Sequence, residues 1–128
     1  MANALYTAGK NALIKGQIAW ETDVIKAALL PSTYVFDDTD TVLADVGTVI
    51  GTAQTLSTTA VSGGKATASA ATFTAVASGS TVGAILIYED LGSLIAFIDT
   101  DSGGAISVAT NGGDITVTFD ATNGIFTL

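Results

Sequence analysis

Two apolar segments constrain this chain more than anything else in it. Residues 83–89 (GAILIYE) and 94–99 (LIAFID) are separated by four residues, Asp90, Leu91, Gly92 and Ser93. So short a link between β-forming runs makes them antiparallel neighbours in a hairpin. A second turn signal, Asn111-Gly112-Gly113-Asp114, lies between alternating pieces at 105–110 and 115–119, and Asn123-Gly124 precedes a last piece at 125–128. Further short strands are expected at 53–60, 66–70 and 72–76, with a turn at Ser62-Gly63-Gly64-Lys65. Seven to nine short strands at this spacing, with one short N-terminal helix, predict a mainly β fold: a β-sandwich or partly rolled antiparallel sheet. No internal repeat is visible.

Upstream, residues 3–15 place Leu5, Tyr6, Gly9, Ala12 and Leu13 on one helical face and Thr7, Lys10, Asn11 and Lys15 on the other. Gly16 is suited to a left-handed cap that stops the helix. A helix this short is unstable alone, so its stripe docks on the same subunit or on something else. Residues 18–30 alternate at first, with Ile18, Trp20, Thr22 and Val24 on one face, and then become apolar up to Pro31, the pattern of a strand passing from an exposed edge into the interior. Residues 31–48 carry Asp37, Asp38, Asp40 and Asp45 among Ser and Thr and read as an irregular excursion. A loop this long in a small domain is usually functional or docked on a partner. The expected organisation is an amphipathic helix or arm at 1–16 and a single β-rich domain at 17–128.

Composition then removes most function classes. The 128 residues contain neither Cys nor His, which excludes thiolate nucleophiles, His-based triads and imidazole zinc sites. Only 16 side chains are charged, where average usage gives about 32. Twelve acids against four Lys and no Arg leave a net charge of −8, a poor match for nucleic acid. Residues 1–26 sum to +1 and residues 27–128 to −9, so the helix is the cationic end of an acidic body. No apolar run reaches the ~18 residues of a membrane span, and no signal-peptide core follows Lys10 and Lys15. Use without export through a membrane is the expectation.

Few constellations suggest chemistry. Asp99-Thr100-Asp101-Ser102-Gly103-Gly104 has the carboxylate spacing that begins a calcium loop, but the chain turns to Ala105-Ile106 where further oxygen ligands are needed, and the plain reading is a polar hairpin turn. Asp101-Ser102-Gly103 also resembles the D-S-G signature of small dimeric aspartic proteases, in which two Asp share a proton across a dimer axis. The second apolar-Gly element that supports such a loop is missing. The twelve acids offer no spacing that selects a glycosidase pair. Trp20 is read as core. Tyr6 and Tyr34, with Leu5, Leu13, Ile14, Asp37 and Asp38, are the candidate partner-interface residues.

A resemblance joins these readings. MANALY (residues 1–6) with Gly9-Lys10, KGQIAW (15–20) with Thr22-Asp23 and Ile25-Lys26, LIAFIDT (94–100), NGGDITV (111–117) and the closing NGIFTL (123–128) resemble segments of small virion structural proteins of tailed bacteriophages. Residues 31–82 depart most from that pattern. The resemblance implies a non-enzymatic capsid cement or decoration protein on the outside of the head, without catalytic residue, cofactor or metal. It would be made in the host cytoplasm, and the major capsid protein would be its partner. A dimer or trimer on the capsid lattice is expected, with neither nucleic acid nor membrane as partner. The alternative is a tail- or fibre-associated host-binding module that reads a glycan through residues 37–45.

Overall fold

The computed structural model describes residues 4–90, 92–101, 104–119 and 124–127. The protein is mainly β, and every strand pairing among these residues is antiparallel. Its centre is β7 (Thr81–Glu89), flanked by β2 (Ile25–Pro31) on one side and β8 (Leu94–Ile98) on the other. The sheet continues outward through β3 (Ile50–Thr55) beyond β2, and through β1 (Ala4–Leu5) beyond β8. Eight described strands have three residues or more and five have only two.

The apolar runs of β2, β7 and β8 are explained by burial on both faces of this sheet. One face presents Ala27, Leu29, Ile85, Ile87 and Ile95 to a core that includes Ile18, Trp20, Phe73, Val76 and Ile125. That core is closed by β6 (Ala71–Phe73), paired with β12 (Ile115–Val117), and by a small sheet of β4 (Ala60–Ser62), β5 (Lys65–Thr67) and β13 (Phe126–Thr127). Trp20, 5% exposed, is core: its indole N–H donates to the Thr67 carbonyl at 3.0 Å, and its ring meets Phe126 edge-on at 5.3 Å. The opposite face presents Ala28, Leu30, Ala84, Leu86, Tyr88 and Phe97. There the cover is no sheet but the acidic excursion, which lays Tyr34, Phe36, Leu43, Val46 and Val49 over it.

Several expectations are corrected. The helix α1 spans Thr7–Ile14, shorter than 3–15, because Ala4 and Leu5 pair with Phe97 and Ala96 of β8. Gly16 does close it at φ 74°, with the Gln17 N–H donating to the Ala12 carbonyl at 2.8 Å. The strand expected from residue 18 begins only at Ile25. Ahead of it the Asp23 carboxylate accepts the Ala19 N–H at 2.9 Å and the Thr22 and Asp23 N–H groups return to the Ala19 carbonyl, so a side chain competes with the ladder and coils the segment. The 111–114 turn does not close a hairpin between its neighbours. Gly112 N–H donates to Val76 O and Val76 N–H to Gly113 O, which sends β11 (Val108–Ala109) to β7 and β12 to β6.

The helix lies against β8 and not away from the body. Gly9 makes that approach possible: a Cβ there would stand 2.5 Å from Leu94 O and 2.7 Å from Ile95 Cα, both backbone atoms that cannot swing aside. Gly9→Ala is therefore expected to lower stability by about 1–3 kcal/mol through forced separation of helix and strand. Lys10→Ala on the exposed face is expected to change it by less than about 0.5 kcal/mol. Urea unfolding of the two variants beside the parent checks this; equal midpoints would show that the helix is not seated.

Candidate functional site

Residues 31–49 are built around carboxylates that make no ion pair among the described residues, with Lys10 acting on Asp38 only through space. From Tyr34 to Asp37 exposure alternates, with Tyr34 and Phe36 packed inward and Val35 and Asp37 outside. Asp37 accepts the Thr39 N–H at 2.9 Å and the Thr39 hydroxyl at 2.6 Å, closing a local turn. Asp45 accepts the Thr41 and Val42 N–H groups at 2.9 and 3.2 Å and so caps the single turn α2 (Leu43–Val46). These bonds hold both carboxyls below their ordinary range, led by the Thr39 side chain for Asp37 and the Thr41 N–H for Asp45.

Asp38 does the same work over a longer distance in sequence. Its carboxylate accepts the Thr7 hydroxyl at 2.7 Å and the Thr7 N–H at 2.9 Å, satisfying the first backbone donor of α1. Beside it the Tyr6 hydroxyl meets that of Tyr34 at 2.8 Å, and Tyr34 donates to Asp40 at 2.8 Å. The rings of Tyr6, Phe36, Phe97 and Tyr34 pack in sequence with centroids 4.8 to 5.8 Å apart. Burial first, and then the bond with Tyr34, push the Tyr6 phenol far above its usual value, so it stays neutral. The excursion is thus a strap, tied to α1 and also to β8 through the Leu94 N–H and Thr41 carbonyl at 2.9 Å. Its outer side leaves an open cleft of about 540 Å³ among Tyr34, Val35, Asp37, Asp40, Asp45 and Val46.

The candidate interface residues are therefore divided. Tyr6 has 0% exposure, and Leu5 and Leu13 are half-buried against the core, so these three face inward and serve the fold. Tyr34 is half-buried in the tyrosine chain, and Asp38 is exposed but committed to Thr7. Ile14, 80% exposed, and Asp37 remain on the surface. Asp101 falls on β9 (Thr100–Asp101), paired with β10 (Gly104–Ala105); Ser102 and Gly103 of the D-S-G motif lie outside the described residues. Among the described residues no group of three acidic side chains could hold a metal ion. No described helix is long and apolar enough to cross a membrane.

One carboxyl pair was not legible as a pair. Asp23 and Glu89 are 66 positions apart in sequence, yet the antiparallel register sets Glu89 opposite Ile25 and brings the Asp23 turn beside it. The two side chains share a hydrogen bond, which with partial burial raises Glu89 from 4.5 to about 7, while Asp23 is lowered by that bond and by the Ala19 N–H. Carboxyls in direct contact leave no gap for a sugar and water, unlike the ~5–9.5 Å of glycosidase pairs. The pair links the 19–24 turn to β7, next to the Lys26–Asp90 ion pair at 3.5 Å. No family model matches the chain, and the searches against curated proteins and solved structures give no match either.

Two measurements check these assignments. Tyr34→Phe strands the buried Tyr6 hydroxyl and is expected to cost about 1–3 kcal/mol, with the Tyr6→Phe/Tyr34→Phe double variant costing less than the sum of the singles. Strict additivity in the unfolding free energies would mean that the two hydroxyls act independently. For Glu89, whose folded value lies above its unfolded one, the stabilising contribution is full below pH 4.5 and is lost as the pH rises through about 7. Glu89→Gln is expected to flatten the fall in thermal midpoint across that window; an unchanged slope would place the shared proton elsewhere.

Proposed function

We propose that this chain is a non-enzymatic structural protein of a tailed-bacteriophage virion, a capsid cement or decoration protein bound to the outside of the assembled head. The observation that carries the reading is the resemblance at both ends of the chain, in residues 1–26 and in 94–100, 111–117 and 123–128. The packing is in keeping with it. LIAFI is β8, the strand on which α1 is seated, so the resembling segments include the contact that joins the N-terminal helix to the sheet.

The surface supports the same reading on physical grounds. Both faces of the central sheet are covered by the chain's own residues, and the outside is Thr, Ser, Ala and Gly with few charges. Such a body does not need long-range attraction to bind; it needs repetition. A protein that binds only the assembled lattice stabilises that state by mass action, and many copies over a shell add avidity to modest contacts. Since α1 is docked, contact with the major capsid protein is made by its outer face and by strand edges held in place, not by a swinging arm.

The test is the number of copies per purified particle, measured by mass spectrometry against the major shell protein, together with the heat stability of heads with and without this chain. Hundreds of copies and a higher disruption temperature are expected. A handful of copies at one vertex would replace the cement reading with a tail or portal component, and none would end it.

A further inference from the structure

Ile14 and Lys15 form an exposed step at the C-terminal end of α1. Ile14 is 80% exposed, and Lys15 makes no ion pair among the described residues. The chain also carries a surface of matching chemistry. On the strap cleft, Val35 is 80% exposed, Val46 is half-buried, and Asp37 and Asp45 each give one carboxylate oxygen to the strap's own N–H and hydroxyl groups while the other takes no hydrogen bond among the described residues. The two surfaces are kept apart within one molecule. Asp38 fixes the strap at the first residue of α1, whereas Ile14 and Lys15 lie about 10 Å further along its axis, at 1.5 Å per residue.

We propose that the occupant of the cleft is a second copy of this chain, with Ile14 of one protomer seated on Val35 and Val46 of the next and Lys15 set between the Asp37 and Asp45 carboxylates. Charge complementarity selects this occupant: in the segment 1–26 Lys26 pairs with Asp90 and Lys10 acts on Asp38, which leaves Lys15 at the helix end to meet the Asp37 and Asp45 carboxylates of a body whose residues 27–128 sum to −9. The contact uses two different surfaces and is therefore head-to-tail, giving a closed ring if the rotation per copy closes. The inference deepens the homo-oligomeric part of the proposed function, but the contact is tested without particles, so its failure leaves the copy number on heads untouched.

The experiment is sedimentation velocity of the full chain at rising concentration in low and high salt. The parent is expected to associate beyond a dimer or into one ring, more weakly in high salt. Lys15→Glu disables the helix end and Val35→Lys disables the cleft; each variant alone is expected to be monomeric, with the parent's thermal midpoint when both are measured at a dilution where the parent is monomeric. Mixed in equal amounts they retain one intact helix end and one intact cleft, and are expected to form 1:1 dimers and nothing larger. A parent that stays monomeric at millimolar concentration, variants that associate like the parent, or a mixture that stays monomeric would each overturn the inference.

Discussion

The carboxylate of Asp38 on the first turn of α1 is the contact on which the rest of the arrangement hangs. A helix of eight residues has too few internal hydrogen bonds to persist alone, and its first N–H groups have no partner within it. Asp38 supplies one from a segment 31 positions away, and in doing so fixes the strap across the sheet. Helix and strap are each insufficient, and each is completed by the other. The tyrosine pair behind this contact carries the same logic inward, since the strap that covers the Tyr6 hydroxyl also brings Tyr34 as its partner.

An acidic strap held chiefly by neutral donors follows from the composition. With four Lys in the chain and no Arg, the acids at 37, 38, 40 and 45 take N–H and hydroxyl donors in place of ion pairs. Bonds of this kind are strongest to ionised carboxylates. Those with lowered values contribute stability above the ordinary value of 3.8 and lose it as the pH falls through their folded values. Glu89 runs the opposite way, losing its contribution toward neutrality. The strap carboxyls and Asp23 thus favour the fold at higher pH, and Glu89 favours it in acid.

What could be read from the sequence was what local patterns encode. The β7–β8 hairpin, the Gly63-Gly64 turn, the α1 stop at Gly16 and the core role of Trp20 all rest on spacing or on a conformation that few residues adopt. The site was less legible because its ties cross between distant segments. Nothing near Asp38 announces Thr7, and nothing near Asp23 announces Glu89; the first pair depends on where strap and helix meet, the second on sheet register. One signal was available: the D-x-T run at 37–39 is an Asx-turn pattern, and it marks a strap with its own geometry and not merely an acidic loop. Tyr6 and Leu13 were expected at a partner surface because their helical stripe is apolar, and an apolar stripe does not say which neighbour covers it.

The order of strands in the central sheet also sets how the chain reaches this state. β7 lies between β2 and β8, and its partner across β2 includes Leu29 opposite Ile85, so the sheet's middle joins an early segment to a late one. Loops that long must close before their contacts repay the lost entropy, which makes folding slow for a chain of this size. During synthesis the apolar run from Ala27 to Leu30 can pair with β3 on one edge, but its other edge has no permanent neighbour until β7 has been made, and that edge is able to join another nascent chain. The same central strand that seals both faces of the finished protein leaves the growing one open longest.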